Sequence, residues 1–502
     1  MCSVEASADP GAPMTDTMWE PGDPISTGAD YLASLRGRRL TVYHLGERVA
    51  EPLDHPVLRP SINAMAATYE LADAEPDTAS ATSPLTGAPI NRFLHVTESA
   101  DDVVAQSRMQ RRLGQITGTC FQRCVGMDAI NSVYSITHDI DEAHGTGYHA
   151  RFCAWLTEMH RLNLVIGGTM TDVKGDRSLP PSEQADPDMY VRVSERRDDG
   201  IVVRGAKAHQ TGALNSHWLL VMPTLRLRPD EADYAVVCAV PVDAPGLSYV
   251  VGRQSCDTRS IDGDVDVGNA RYSGQEALVV IDDVFVPYEH VFMDGEAEFA
   301  APLVERFTSY HRRSYVCKAG VGDVLIGAAS LAAEHNGVAK ASHIRDKLVE
   351  MAFLNETLYS TGIAASHESH RTAAGNWEPD VLAANVCKHH VTRHPYEIGR
   401  LAQDLAGGNV ADLASQADFE DPEIGPILHK YLAGRAGVPT EHRVRILRLI
   451  ENLTMGRNAV GYLTESLHGA GSPQAQRIVI GRGSDIPAKQ EMARRLAGID
   501  TD

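Results

Sequence analysis

The chain has 502 residues, 43% of them hydrophobic and 23% charged, with 67 acidic and 46 basic side chains and a formal net charge of −21. That length exceeds one compact core and predicts two or three packed regions. The acidic balance excludes a chain built to bind nucleic acid, whose phosphates demand Lys and Arg, but leaves open an anionic ligand held in a local basic pocket or at a helix N-terminus.

No uninterrupted apolar run is read as long enough to span a membrane. Residues 1–18 are acidic and rich in Ala, Pro and Gly, without the basic start and apolar stretch of a signal peptide. They read as a disordered tail, and a cytoplasmic location is expected. Three regions follow. Residues 19–161 read as mostly helical: Asp30-Tyr31-Leu32 resembles a helix start, and from Asp101 to Thr137 the residues Val104, Met109, Leu113, Ile116, Phe121, Val125, Ile130 and Val133 recur at helical spacing. Residues 162–293 change to period two. There Met189 to Val193, an Asp-Gly turn at Asp199-Gly200 and Ile201 to Val203 predict a hairpin. Further strand-like runs are Trp218 to Met222, Tyr234 to Val240, Leu247 to Val251 and Ala277 to Val286, which together suggest a sandwich or barrel. Residues 294–502 return to amphipathic helices, with apolar faces at Ile344, Leu348, Met351, Leu354 and Leu358 and at Val444, Leu447, Ile450 and Leu453, and predict a helical bundle.

The eight cysteines, Cys2, Cys120, Cys124, Cys153, Cys238, Cys256, Cys317 and Cys387, are too sparse for a disulfide scaffold. Cys120 and Cys124 stand at i and i+4. On a helix both thiols project from one face, an arrangement suited to a soft metal and equally to two small buried apolar groups. Between Tyr310 and Lys318 a base, a phenol, a thiol and an amine fall within nine residues. On a regular helix His311, Tyr315 and Lys318 share a face, and Cys317 points away from it. The run from Ala208 to His217, containing His209, Gln210 and Thr211, reads as a polar loop or a ligand cradle. The segment from Thr464 to Pro473 reads as a Gly-rich helix stop in which Glu465 can act as acid or base. Gly407-Gly408, after Gln403-Asp404, reads the same way.

An α-region, a β-region and a helical bundle in that order form an α+β plan resembling the acyl-CoA dehydrogenases and their flavin monooxygenase relatives: an N-terminal α-helical domain, a middle β-barrel or sandwich domain and a C-terminal helical bundle. More specifically, the chain resembles the 4-hydroxybutyryl-CoA dehydratase/vinylacetyl-CoA Δ-isomerase family, a branch of the 4-hydroxyphenylacetate 3-hydroxylase superfamily. The resemblance runs from about Thr27 to Gly498. It is carried by His55-Pro56 to Asn63, Cys120 to Asp128, Met170 to Arg177, Arg204 to Gly212, Gly274 to Leu278 and His468 to Arg477.

The resemblance implies FAD and a [4Fe-4S] cluster in a homotetramer, with flavin sites completed across subunits and a small acyl-CoA as substrate. The implied cluster ligands are Cys120, Cys124, His311 and Cys317. Flavin contacts are implied at Thr169, Met170, Thr171, Lys174, Arg177, His209, Gln210, Thr211, Gln403, Asp404, Gly407 and Gly408. Within the family pattern His311 is a ligand and the C2 base and Glu465 the second acid/base, while Tyr315, Lys318, Glu276 and Gln122 orient or polarise the substrate.

The implied reaction is dehydration of 4-hydroxybutyryl-CoA to crotonyl-CoA, with isomerisation of vinylacetyl-CoA. The thioester does not acidify C3. Loss of the C2 proton and one electron gives an enoxy radical that does, so a flavin and a Lewis-acidic iron are both needed. Two other functions fit the same sequence: a flavin-dependent aromatic monooxygenase, and an inactive flavin or acyl-CoA-binding protein. The last is motivated by one departure from the family pattern. Five residues separate His311 from Cys317 where the family has six, and on a regular helix that deletion turns Cys317 by about 100°.

Overall fold

The computed structural model describes residues 22–252 and 263–499. The tail expected at residues 1–18, with Cys2 in it, and Cys256 lie outside the described residues.

Helix α1 (Gly28–Leu35) begins at a reciprocal cap. The Asp30 amide donates to Thr27 Oγ1, and the Thr27 amide donates to the Asp30 carboxylate. It is followed by α2 (Arg59–Ala74), α3 (Ala100–Thr117), α4 (Cys124–His144) and α5 (Tyr148–Leu162). The helical pattern expected to run from Asp101 to Thr137 is therefore two helices. Gly118 ends α3 in the left-handed conformation, φ 58°, and residues 119–123 cross to α4 without helical structure.

The strands of the two larger sheets are β1 (Val42–His44), β2 (Glu47–Val49), β3 (Ile166–Thr169), β4 (Arg192–Arg196), β5 (Gly200–Thr211), β6 (Trp218–Val221), β7 (Val236–Pro241), β8 (Leu247–Val251), β9 (Glu276–Pro287) and β10 (Val291–Asp294). The expected hairpin is β4–β5, closed by the Arg197 amide donating to the Gly200 carbonyl. One sheet of six strands runs β2-β1-β8-β9-β5-β4, and one of four runs β10-β7-β6-β3. The two share a core in which Val203, Tyr249, Val279 and Ile281 meet Leu219, Val221, Cys238 and Val240.

The barrel expected for the middle region, and with it the acyl-CoA dehydrogenase-like plan, is corrected here: both sheets are open and no ladder among the described residues joins them. The physical reason lies in the neighbours. The helical first region contributes β1 and β2, which lengthen one sheet. Its helices α4 and α5 pack Ile136, Phe152 and Trp155 against Leu220, Ala239 and Phe292 on the outer face of the other. A sheet extended or covered by neighbouring elements need not close on itself. Strand β7 is consequently buried on both faces, and Val236 to Val240 reads as a continuous apolar run.

The third region holds α6 (Ala300–Ser314), α7 (Cys317–His335), α8 (Ser342–His367), α9 (Val381–Val391), α10 (His394–Ala406) and α11 (Thr440–Thr454). The two expected apolar faces meet in one core, where Met351 and Leu354 on α8 join Leu447, Ile450 and Leu453 on α11. Residues 297–335 are long and apolar enough to cross a membrane by length and composition, but 67% of their apolar window is buried inside the protein, as in a core element.

Candidate active site

Cys120, Cys124, His311 and Cys317 line one cavity of about 40 Å³, together with Gln122, Thr211, Tyr315, Lys318 and Glu465. They reach it by routes that differ from the helical geometry expected. Cys120 stands in the irregular link and Cys124 opens α4, so the two thiols do not share a helix face. The link turns at Gln122, whose φ of 67° is left-handed. The Gln122 side chain is spent on holding that turn: Nε2 donates to the carbonyls of Ser61 (2.9 Å) and Ser273 (3.3 Å), and Oε1 accepts from Asn215 (3.2 Å).

Cys317 does not point away, because the helix is broken before it. Between α6 and α7 the amides of Val316, Lys318 and Ala319 donate to the carbonyls of Arg313, Tyr315 and Val316, three residues back in each case. A three-residue turn advances by about 120° per residue instead of 100°, which re-aims Cys317 into the cavity despite the shortened spacing. Val316 seats this turn against α8, where a Cβ on Gly362 would fall 1.9 Å from Val316 Cγ1.

His311 is oriented from behind. Its Nδ1 lies 2.8 Å from Asp128 Oδ2, and the other carboxylate oxygen accepts from Ser314 Oγ at 2.8 Å. Asp128 is wholly buried on α4. Pairing Nδ1 leaves Nε2 as the ring nitrogen able to ligate. Burial pushes the Cys120 and Cys124 thiols well up, whereas a hydrogen bond from Cys124 holds Cys317 below its ordinary value.

On the opposite wall, a π-helical turn at Val460–Thr464 precedes Glu465. The Glu465 amide donates to the Val460 carbonyl, five residues back, and the Gly461 carbonyl accepts from Lys318 Nζ. The same Nζ donates to Glu465 Oε2 at 2.8 Å. Insertions of this kind are frequent at functional sites. Thr211 Oγ1 donates to Glu276 Oε1 at 2.6 Å. Burial, and then the Glu465 carboxylate beside it, hold the Glu276 carboxyl well above its ordinary 4.5.

The folded chain therefore keeps a proton on Glu276 that the unfolded chain releases, and stability falls as pH rises from 4.5 toward the raised value. Glu276→Gln should flatten that decline in thermal midpoint, measured between about pH 5 and 8. An unchanged slope would assign it to other groups.

A second group of predicted residues gathers at the end of β3. The Thr171 carbonyl accepts from the Ala208 amide and from Gln210 Nε2, which binds the two segments together. Thr169 Oγ1 is buried without a hydrogen-bond partner. Burial, Lys174, His468 and Arg177 depress His209, so several cationic groups stand close together. An unsatisfied buried hydroxyl on one segment and the Lys174 and Arg177 cations on the next suit an anionic, hydrogen-bonding ligand. Met170 follows directly, and its carbonyl accepts from Lys207. Gln403, Asp404, Gly407 and Gly408 are not brought to this group. They end α10, where Asp404 pairs with Lys347 on α8 at 2.7 Å.

Two residues at the site have no role in the sequence reading. Asp128 was within reach, standing at i+4 from Cys124 and so on the same helical face. Lys388, in a run of His and Lys on α9, carried no signal; it is wholly buried, with Nζ 4.0 Å from the centre of the Tyr315 ring.

Residues 27–293 match the family model described as 4-hydroxyphenylacetate 3-hydroxylase N terminal, and residues 300–498 the one described as 4-hydroxyphenylacetate 3-hydroxylase C terminal. The chain is 52% identical over 488 residues to the 4-hydroxybutyryl-CoA dehydratase/vinylacetyl-CoA-Δ-isomerase of Clostridium aminobutyricum, covering 95% of this chain and 100% of that protein. Its structure is similar to that of an oxygen-tolerant archaeal 4-hydroxybutyryl-CoA dehydratase from N. maritimus, with TM-score 0.94 and 61% identity over 95% of this chain and 96% of the other. The fold is shared with the FAD complex of the oxygenase component (HpaB) of 4-hydroxyphenylacetate 3-monooxygenase, with TM-score 0.83 and 23% identity over 94% and 98% of the two chains. Glutaryl-CoA and butyryl-CoA dehydrogenases reach TM-scores of only 0.48 and 0.45, so the acyl-CoA dehydrogenase-like assignment gives way to the hydroxylase-type fold.

Proposed function

The chain belongs to the 4-hydroxybutyryl-CoA dehydratase/vinylacetyl-CoA-Δ-isomerase family, within the 4-hydroxyphenylacetate 3-hydroxylase superfamily, and on that premise we propose that it converts 4-hydroxybutyryl-CoA and vinylacetyl-CoA to crotonyl-CoA with FAD and a [4Fe-4S] cluster. The observation that carries this reading is the single cavity lined by three thiols and an imidazole, with the Glu465–Lys318 pair in its wall. No three described residues are placed to share one metal ion. A cluster asks for something different, since each ligand takes its own iron.

Cys120, Cys124, Cys317 and His311 Nε2 would hold the cluster. Thr169 to Arg177 and His209 to Thr211 would hold the flavin. When bound, the flavin accepts and returns one electron, and the cluster supplies Lewis acidity toward the substrate hydroxyl.

The chain's own residues supply proton transfer and orientation. His311, aligned by Asp128, serves as ligand and C2 base. Glu465 serves as the second acid/base, oriented by its ion pair with Lys318. Glu276, protonated in its buried setting, has one carboxyl oxygen free to donate a hydrogen bond, while the other accepts from Thr211 Oγ1. Gln403 to Gly408, remote from the flavin group of their own subunit, complete a neighbour's site in a homotetramer.

The test is an anaerobic preparation assayed for flavin, iron and sulfide, with crotonyl-CoA formation followed from 4-hydroxybutyryl-CoA. Flavin together with iron, sulfide and turnover is the expected result. Protein lacking iron and sulfide, or one that hydroxylates a phenol with oxygen, would overturn the reading.

A further inference from the structure

We infer that Lys388 and Gly469 are positioning residues for Tyr315, an assignment that rests on the functional reading above. Lys388 is wholly buried among Lys318, Arg312 and the thiols of Cys387 and Cys317, with no carboxylate paired to it among the described residues. A buried amine without an anion needs other partners, and this one has two. Its Nζ lies 4.0 Å from the centre of the Tyr315 ring, where N–H bonds meet the negative face of the π system. The same Nζ donates to the carbonyl of Ser466, the residue after Glu465. One amine thus ties the Tyr315 ring to the backbone turn that carries Glu465.

The tip of the ring is bounded as closely. A Cβ on Gly469 would fall 1.5 Å from Tyr315 Oη, so only glycine leaves room for the hydroxyl. His311 meets the ring edge-on, with centroids 5.3 Å apart at 72°. Face, tip and edge are set by α9, by the residue after α12 (Glu465–His468) and by α6. Tyr315 is therefore held in one orientation by His311, which lines the cavity with it, and by Lys388 and Gly469, which do not.

The experiment is a double-mutant cycle on the holoenzyme with K388M, K388R, Y315F and K388M/Y315F, following crotonyl-CoA formation. K388M should lower kcat at least about tenfold with KM changed less than about threefold, and K388R should recover most of the loss. Added to Y315F, K388M should cost little further, because its effect runs through the ring. The same fold loss in both backgrounds, or an unchanged kcat in K388M, overturns the inference. Should K388M not fold, K388Q carries the same cycle.

Failure of the functional reading shows separately, as no turnover in the unmodified enzyme or full turnover in Y315F. Crystal structures then decide. In K388M and G469A the Tyr315 ring should leave its single orientation, and a ring unmoved in both variants overturns the inference.

Discussion

Asp128→Asn is expected to lower turnover by about 10–100-fold, the usual cost of losing the carboxylate behind a ligating histidine. The expectation follows from where the carboxylate stands. Asp128 is wholly buried on α4, takes His311 Nδ1 on one oxygen and Ser314 Oγ on the other, and lies 3.9 Å from the buried Arg313 guanidinium. Asparagine keeps the size but offers only one acceptor atom, and it removes the charge facing Arg313. If its amide turns toward His311, donor meets donor and the ring loses its orientation. The measurement is kcat together with iron content in the anaerobic holoenzyme. A variant with normal iron and normal turnover would show that His311 needs no support from behind.

Lys318→Met should act on stability more than any other single change at the site. Lys318 and Glu465 form an ion pair at 2.8 Å with side-chain exposures of 2% and 13%. Removing one member of a buried pair strands the other, at a cost of about 3–5 kcal/mol. The loss should be toward the lower end of that range, since Glu465 can take up a proton in compensation. It should therefore grow as pH rises, because the compensating proton becomes harder to hold. Thermal unfolding of K318M across the pH range checks both statements. A midpoint equal to that of the unmodified protein at neutral pH would mean that the Gly461 carbonyl and water carry Glu465 without the lysine. Activity should fall as well, since a protonated Glu465 cannot accept a proton.

The middle region shows how far local pattern reaches. Period-two runs marked the strands, and each expected run overlaps one, although β4 shares only Arg192 and Val193 with the run expected at Met189 to Val193. Whether those strands close is not a local property. It depends on which edges are met by β1 and β2 and which faces are covered by α4 and α5, and those segments lie as much as two hundred residues away in the chain. The flavin group was likewise legible only as polar residues beside glycines. Lys174 and His209, both at positive φ, gather near Arg177 because the Thr171 carbonyl binds their two segments together.

By itself the sequence determined the chemistry available: three thiols, an imidazole and two carboxylates, motifs long enough to mark a family, and the helical and strand periodicities. Only the tertiary structure decided where these groups point. A regular helix would separate Cys317 from His311, and an unbroken one would put Cys120 and Cys124 on a shared face. The chain departs from both, through the three-residue turn seated on Gly362 and the left-handed Gln122 clamped by Ser61, Ser273 and Asn215. Periodicity reports the regular part of a chain, whereas these breaks are held by partners distant in sequence, and no local pattern encodes them.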